Sequence, residues 1–327
     1  MPGLAAVTGG TGFLGRYVLS ALADAGWRVR ILARGRADHP QLAGLRFEAV
    51  CGDLSDRRAL RELVDGADVV VHAAGLIKAR TAAAFREVNV EGTGNLASAV
   101  KAHGAGMRLL MVSSIAAREP QLSAYAQSKR AGEEMLQERL GSRHDWVVVR
   151  PCAIYGPWDV ETLGVFRAVS RRIAVRPRVA HARLALIHAA DAARAIACLC
   201  DRAGAGSVLE LTDQRTAGYS WDEIISAAEA ALQLRTLTLS GPPVSLRTAA
   251  ALNRASAWAL RRTPMLTGGK ARELLHADWG SRAERQPPAG LWRPSIGLQE
   301  GFRETVDWYR ARHWLPARRP TWLDGPL

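Results

Sequence analysis

Short apolar runs alternate with longer amphipathic stretches along the first half of the chain. Apolar runs between turn residues predict buried strands, and apolar positions three or four residues apart predict helices. The predicted strands cover residues 4–8, 28–33, 47–51, 69–72, 108–113 and 146–150. The predicted helices between them cover residues 17–25, 57–64, 85–102 and 125–140. This alternation indicates an α/β fold, in which six strands form a doubly wound parallel sheet with helices on both faces.

The regular alternation stops after Pro151. Further helices are predicted over residues 191–200, 221–232 and 246–262, and a proline-bearing loop over residues 283–294. We therefore expect residues 1–155 to form the doubly wound domain. We expect residues 156–327 to form mostly a smaller, substrate-binding C-terminal lobe, from which some segments return to the core of the first domain.

A glycine-rich turn separates the first predicted strand from the first helix. Gly9, Gly12 and Gly15 follow one another with two residues between each pair. In this context glycine permits a tight turn, lets the backbone approach a pyrophosphate and lets helix and strand pack closely, while the helix N-terminus supplies N–H donors to the anion. The turn therefore predicts a Rossmann domain that binds a nicotinamide dinucleotide.

The spacing Thr-Gly-x-x-Gly-x-x-Gly resembles that of the short-chain dehydrogenase/reductase superfamily, and further segments resemble its extended branch. These segments are Cys51-Gly52-Asp53-Leu54, His72-Ala73-Ala74-Gly75, Val88 to Thr93 around Asn89, Tyr125-Ala126-Gln127-Ser128-Lys129, Arg150-Pro151 with Tyr155-Gly156-Pro157, Asp191 and Trp308-Tyr309. The extended branch includes NAD(P)-dependent epimerase/dehydratase-like enzymes of nucleotide sugars and dehydrogenases of the 3β-hydroxysteroid type. The resemblance covers residues 4 to about 315.

The resemblance also implies where the cofactor is bound. Asp53 would accept a hydrogen bond from the adenine amino group, and residues 72–75 would form a turn beside the cofactor. The predicted cofactor-binding residues are Gly9, Thr11, Gly12, Phe13, Leu14, Gly15, Arg34, Asp53, Leu54, Ala73, Ala74, Gly75, Asn89, Ser113, Tyr125, Lys129 and Pro151.

Arg34 decides the expected form of the cofactor. An acidic residue at the end of the second strand would bind the ribose 2′-hydroxyl of NAD, but the chain has Arg34-Gly35-Arg36 there. A guanidinium suits the 2′-phosphate of NADP, because it forms charge-assisted, bidentate hydrogen bonds. We therefore predict NADP, with NAD as the alternative.

Three residues form the predicted catalytic set. Tyr125 and Lys129 stand four apart on a predicted helix and share one face. An adjacent ammonium favours the phenolate, so we expect Lys129 to lower the pKa of Tyr125, which would exchange a proton with the substrate oxygen. Ser113 and Ser114 end the preceding strand, where open parallel sheets place ligands. By resemblance to the paired serines of the family, Ser114 would bind the substrate oxygen, with Ser113 as the alternate.

The connection from Ser114 to Tyr125 is a departure from the family. It spans 11 positions, whereas the nucleotide-sugar enzymes carry a longer loop there. The short connection resembles atypical members of the branch, although the chain keeps Ser, Tyr and Lys. We therefore predict an enzyme that transfers hydride between NADP(H) and a secondary alcohol or ketone of a small or lipid-like substrate. The alternatives are a nucleotide-sugar epimerase or dehydratase, and a cofactor-binding structural or regulatory protein without catalysis.

The net charge of +13 does not select a partner by itself. Zinc-finger, helix-turn-helix and RNA-binding signatures are absent, so we expect no nucleic acid, and no residue cluster has metal-ligand spacing. With no secretion signal, no apolar run long enough to cross a membrane and four scattered cysteines, the sequence indicates a cytoplasmic protein. The arginine-bearing helix at 246–262, which contains Trp258, leaves membrane-surface association open, and a homodimer is also left open. We expect His72 and His188 to be structural.

Overall fold

The alternating pattern folds into strands and helices whose bounds follow the predictions closely. The structure is a computed structural model that describes residues 3–104, 106–202, 206–242, 248 and 267–317. Its strands are β1 (Leu4–Thr8), β2 (Arg28–Ala33), β3 (Glu48–Cys51), β4 (Val69–His72), β5 (Arg108–Val112), β6 (Trp146–Pro151), β7 (Ala153–Tyr155), β8 (Ile173–Pro177), β9 (Arg183–Leu184), β10 (Leu186–His188), β11 (Ser207–Leu211), β12 (Leu237–Gly241) and β13 (Asp278–Trp279). Its helices are α1 (Phe13–Asp24), α2 (Arg57–Val64), α3 (Ala82–Arg86), α4 (Gly92–His103), α5 (Ala124–Leu140), α6 (Leu163–Ser170), α7 (Ala189–Arg202), α8 (Trp221–Leu232), α9 (Gly268–Leu274) and α10 (Leu298–Ala311).

Within the described residues, seven strands form one parallel sheet in the order β3-β2-β1-β4-β5-β6-β11. The predicted α/β class and doubly wound sheet are confirmed. The six predicted strands are present, but a seventh, β11, lies beside β6 with Leu209 opposite Val149. The sequence prediction missed β11 because Glu210 interrupts its short apolar pattern. Glu210 is nevertheless buried, since it accepts hydrogen bonds from the hydroxyl of Ser281 and the N–H of Arg282.

Helices cover both faces of the sheet and create two apolar cores. On one face α1 and α7 pack together over the sheet, with Leu19 and Ile196 among the buried residues. On the other face α2, α4 and α5 bury residues such as Leu60 and Leu136. Because successive strand residues point to opposite faces, Val147 belongs to the first core and Val148 to the second.

Two predicted helices in the first half of the chain differ most from the structure. The first begins at Phe13 rather than residue 17, directly after the glycine turn. The predicted helix over residues 85–102 is present as α3 and α4, joined by a π-helical turn at Glu87–Glu91. Single-turn π-helical segments are frequent at functional sites. The predicted helix at residues 246–262, with Trp258, lies outside the described residues.

The C-terminal half contributes a third core and three small parallel strand pairs. Tyr155, Phe166, Phe302 and Tyr309 form the aromatic part of this core, between α6, α8 and α10. The strand pairs are β7 with β10, β8 with β12, and β9 with β13. Among the described helices, none is both long enough and apolar enough to span a membrane.

Candidate active site

The glycine turn lies at the carboxyl end of β1 and has almost no room for side chains. Gly9 has φ +74°, a conformation that favours glycine, and a Cβ there would overlap the backbone of Ala74. A Cβ at Gly15 would overlap the carbonyl oxygen of Gly9, so glycine lets α1 pack against the turn. The N–H of Gly12 closes the turn by donating to the Gly9 carbonyl at 2.9 Å. The turn therefore brings bare backbone to the start of α1.

A buried arginine braces this turn from inside α1. The Arg16 guanidinium donates to the carbonyl of Thr11 at 2.7 Å and to the Gln41 side chain at 2.9 Å. Burial lowers the pKa of Arg16. Arg16 was not predicted from the sequence, because nothing there distinguishes it from the many surface arginines.

The edge beyond the turn suits an anionic dinucleotide. Within the described part of the chain, no side chain caps the start of α1 at Gly12, which leaves the helix N-terminus to an external anion. Asp53, exposed after β3, accepts hydrogen bonds from the N–H of Ser55 at 2.8 Å and its hydroxyl at 2.6 Å. These bonds lower the pKa of Asp53, with a smaller contribution from the charge of Arg34, which is exposed after β2. Asp53 and Arg34 thus follow the carboxyl ends of two adjacent strands, β3 and β2.

The turn after β4 connects the glycine turn to the predicted catalytic helix. The Asn89 side chain exchanges hydrogen bonds with the backbone of Leu76 at 2.7 and 3.0 Å, and it donates to the hydroxyl of Ser128 at 2.9 Å. The π-helical turn carries Asn89 into this buried position. A Cβ at Gly75 would lie 3.6 Å from Nζ of Lys129. The turn at residues 73–75 therefore lies against Gly9 at one end and near Asn89 and Lys129 at the other.

The structure brings Ser114, Tyr125 and Lys129 to the carboxyl edge of β5. The side chain of Ser123 caps α5 by accepting from the N–H of Ala126 at 2.9 Å, which fixes the start of the helix. Ser114 lies close enough to Tyr125 to lower the pKa of its phenol. The ammonium of Lys129 donates to the Val112 carbonyl at 2.8 Å. Ser114, the serine preferred from the sequence, therefore lies next to the tyrosine.

The pKa of Tyr125 shifts in the direction opposite to the one expected. Burial raises the pKa of Tyr125 to about 12; the neighbouring Ser114 side chain opposes this rise, and the charge of Glu273 adds to it. Burial lowers the pKa of Lys129 to about 8, with the charge of Glu133 acting against that change. The expectation of a lowered tyrosine pKa is thus wrong for this structure, because desolvation of the phenol is the largest contribution and it raises the pKa. A neutral phenol is a proton donor.

Ser113 takes part in a separate buried network. Its hydroxyl donates to the carboxylate of Glu133. Arg150 forms a two-point ion pair with the same carboxylate, through Nε at 2.9 Å and Nη2 at 2.6 Å. Glu133 lies one helical turn after Lys129 in α5. The network therefore joins the end of β5, α5 and β6 next to that lysine. The network was not predicted from the sequence.

The predicted residue Pro151 is buried at the end of β6, opposite Leu211.

A short helix from the C-terminal half contacts the start of α5. Glu273 in α9 accepts a hydrogen bond from the Ser123 hydroxyl and pairs with Lys270 at 3.1 Å. Arg272 donates to the carbonyl of Leu122 at 2.7 Å. The indole of Trp279 donates to the Glu273 carbonyl at 2.8 Å. The N-terminus of the predicted catalytic helix is therefore held by a segment 150 residues away in sequence.

The two histidines of the core are held as neutral side chains. His72 lies between the hydroxyls of Thr8 at 2.7 Å and Thr93 at 2.9 Å, and burial with the nearby charge of Lys129 lowers its pKa to about 3. His188 packs between the rings of Tyr17 and Tyr155, and burial lowers its pKa to about 4. These surroundings agree with the structural roles expected for both.

Two loops meet at the rim of this region. Lys78, in the turn after β4, forms an ion pair of 2.7 Å with Glu161 in the loop after β7. Their neighbours Ile77 and Val160 are large apolar residues with 58% and 56% of their surface exposed. The ion pair therefore links the two halves of the chain beside two solvent-exposed apolar side chains.

Comparisons with known proteins agree with this geometry. The family model described as "NAD dependent epimerase/dehydratase family" matches residues 5–211. Ceramide reductase of Caulobacter vibrioides is 45% identical over 317 residues, which cover 96% of each chain. The solved structure of gox2253 superposes with a TM-score of 0.73 at 21% identity, covering 95% of this chain and 98% of that one. MoeE5 in complex with UDP-glucuronic acid and NAD has a TM-score of 0.71 at 18% identity, covering 95% of this chain and 100% of that one. The two structural matches show the fold alone.

Proposed function

Since the chain belongs to the NAD dependent epimerase/dehydratase family, we propose that it reduces the ketone of a long-chain, ceramide-type lipid with NADPH. That it is an oxidoreductase of this family follows from the matches described above. The observation that carries the proposal of a reductase is the grouping of Ser114 with the neutral phenol of Tyr125 and, one helical turn further along α5, the buried Lys129, whose ammonium is held by the Val112 carbonyl. The choice of a ceramide-type lipid as substrate rests on the similarity to ceramide reductase.

The residues around the glycine turn fit the cofactor. The bare backbone at Gly9 and Gly12 and the uncapped start of α1 would hold the pyrophosphate. Asp53 would face the adenine, and Arg34 would bind the 2′-phosphate, which is the basis for proposing NADPH over NADH. Bound NADPH supplies the hydride that adds to the carbonyl carbon.

The protein's own residues supply the proton. Ser114 donates a hydrogen bond to the substrate carbonyl oxygen and holds it beside the phenol. Tyr125 transfers its O–H proton to that oxygen as the C=O bond becomes C–OH, so one hydride and one proton reduce the ketone to a secondary alcohol. Lys129 stabilises the phenolate that remains on Tyr125, because an adjacent positive charge favours the ionised form.

The region around the predicted catalytic set agrees with a lipid substrate. Ile77 and Val160 offer apolar surface at the rim, where an acyl chain would leave the site. The connection between Ser114 and Tyr125 is short and partly occupied by a single 3₁₀ turn, Ile115–Arg118. Both features support a lipid ketone over a nucleotide sugar.

The test uses a long-chain N-acylated amino ketone, the oxidised counterpart of a ceramide, with NADPH and the purified protein. We expect stoichiometric loss of NADPH absorbance and formation of the secondary alcohol, detected by mass spectrometry. UDP-glucose with NAD serves as the matched alternative substrate. Interconversion of the nucleotide sugar without reduction of the lipid ketone would overturn the proposal and favour an epimerase.

A further inference from the structure

The pair of strands β8 and β12 presents an apolar outer face. Ile173 is in register with Leu237, and Val175 with Leu239, so the four side chains project from one side of the pair. Their exposed fractions are 54% for Ile173, 63% for Leu237, 66% for Val175 and 47% for Leu239. Large aliphatic side chains at four adjacent outward positions form a contiguous patch rather than scattered surface residues.

The inner side of the same pair already has its packing partners. Ala174, between Ile173 and Val175, is buried with Phe166 and Ile224 in the third core. Strands of parallel sheets are apolar on both faces where both faces are covered. In the parallel pair of β8 and β12 the outer positions are aliphatic but exposed, so packing within the described chain does not explain them.

Positive charge surrounds this patch. The exposed arginines next to it along the chain are Arg171, Arg172, Arg178 and Arg235. Arg172 and Arg235 also line a surface pocket beside the strands. Of the nearby acidic groups, Asp222 pairs with Arg176 at 2.9 Å, which offsets its charge. Glu229 lines the same pocket as Arg172 and Arg235 and accepts from the N–H of Thr236 at 2.7 Å, so its charge remains. With four exposed arginines against this one carboxylate, the net charge next to the patch is positive.

We propose that the outer face of β8 and β12 docks the protein on an anionic lipid bilayer. The four aliphatic side chains would enter the acyl boundary while the arginines bind lipid phosphates, the combination that membrane-surface elements use. A stable protein interface buries about 1,600 Å² in total, far more than four side chains supply, whereas bilayer binding needs only a few apolar anchors and basic groups. This docking goes beyond the proposed reaction, and it would bring the site to the membrane that holds a lipid substrate.

The test measures sedimentation of the full chain with vesicles, without substrate, so that it does not depend on the proposed reaction. Vesicles of phosphatidylcholine alone are compared with vesicles that also contain phosphatidylglycerol. We expect binding to the anionic vesicles, weakened by salt. Activity on detergent-dispersed lipid ketone is measured separately, so that failure of docking and failure of the proposed reaction are distinguished.

Two variants and one control test whether the outer face of β8 and β12 binds the vesicles. The combined variant Ile173→Ser, Val175→Ser, Leu237→Ser and Leu239→Ser removes the apolar patch. The variant Arg171→Gln, Arg172→Gln and Arg235→Gln removes three charges, each expected to weaken binding about fivefold and together about a hundredfold. The control Arg57→Gln, Arg58→Gln and Arg61→Gln removes three exposed charges from α2 instead.

The control variant is expected to keep most of its binding. Absence of binding to anionic vesicles, or equal losses in the α2 control and the Arg171 set, would overturn the proposal. Self-association of the wild-type chain that the serine variant abolishes would also overturn it, by making this face a subunit interface.

Discussion

The carbonyl oxygen of Val112 accepts a 2.8 Å hydrogen bond from Nζ of Lys129. Val112 is the last residue of β5 and directly precedes Ser113 and Ser114 in the chain. The contact joins it to the second turn of α5. It fixes the ammonium at the strand end, near Ser114 and Tyr125. The carboxyl end of β5 therefore positions the residues proposed to transfer the proton, Lys129 as well as Ser114 and Tyr125.

Removal of the phenol hydroxyl should abolish reduction but leave the cofactor site intact. In Tyr125→Phe we expect kcat to fall by a factor of about 10² to 10⁴, the range for loss of a general acid. NADPH affinity, measured by fluorescence titration, should change little. Tyr219→Phe removes a hydroxyl that binds Asp213 instead, and it should retain activity. Equal turnover by Tyr125→Phe and wild type would exclude Tyr125 as the acid.

The pH profile should reflect the lysine. Because the pKa of Lys129 is lowered to about 8, its ammonium is lost as the pH rises through that value, and kcat/KM for ketone reduction should fall on the alkaline side. Lys129→Arg, whose guanidinium stays charged, should lose this alkaline limb even where its overall rate is lower. Lys101→Arg on the exposed face of α4 is the control and should keep it. If the alkaline decrease of kcat/KM persists in Lys129→Arg, a group other than Lys129 causes it.

The same lowered pKa has a consequence for stability. Between about pH 8 and the ordinary lysine value, the unfolded chain holds a proton at residue 129 that the folded chain has released. The contribution of Lys129 to the free energy of unfolding should therefore rise as the pH increases through this interval. Urea unfolding of wild type and Lys129→Met at several pH values measures it. A difference between the two proteins that is independent of pH would contradict the shift.

Arg34 should control the choice between the two dinucleotides. Arg34→Ala removes a charge-assisted contact worth about 1.5–3 kcal/mol, so NADPH affinity should fall roughly tenfold or more while NADH affinity is unchanged. Arg28→Ala, an exposed arginine at the opposite end of β2, tests for a general charge effect. A wild-type protein that binds NADH more tightly than NADPH would refute the preference outright.

Glu133 should be essential for stability rather than for proton transfer. Glu133→Gln leaves the partly buried Arg150 without its counter-charge, and loss of one partner of a buried pair destabilises by about 3–5 kcal/mol. Urea unfolding should report this loss, and Glu133→Gln with Arg150→Met should recover part of it. A destabilisation below about 1 kcal/mol would show that Ser113 and solvent satisfy the network without the ion pair.

The exposed apolar side chains of Ile77 and Val160 should make the enzyme distinguish substrates by the length of their acyl chain. Ile77→Ser with Val160→Ser should raise KM for a long-chain ketone, because each exposed aliphatic residue would cover part of the acyl chain. KM for a short ketone with the same reacting group should not change, which makes that substrate its own control. Equal effects on both substrates would place the acyl chain elsewhere.

Local sequence patterns predicted much of the fold and the candidate site. The glycine spacing located the turn at Gly9, and the four-residue spacing of Tyr125 and Lys129 placed them on one helix face. Each of these inferences depends on residues that are close together along the chain. The strand and helix bounds follow from the same kind of local periodicity.

Features that depend on distant residues were not predictable in the same way. The bond between Ser123 and Glu273 joins positions 150 residues apart, and the hydrogen bond from Arg16 to Gln41 joins α1 to the segment after β2. The direction of the Tyr125 pKa shift was wrong because desolvation depends on the whole packed structure. The π-helical turn at Asn89 has no pattern of its own in a helical stretch.

The position of β11 has a consequence for synthesis of the protein. When the ribosome has made the first 155 residues, β6 is an open sheet edge, since its neighbour at Ser207–Leu211 has yet to emerge. Unpaired edges invite association with other chains. The nascent chain should therefore complete its sheet only after residue 211 leaves the exit tunnel. A fragment that ends at residue 155 should aggregate instead of folding independently.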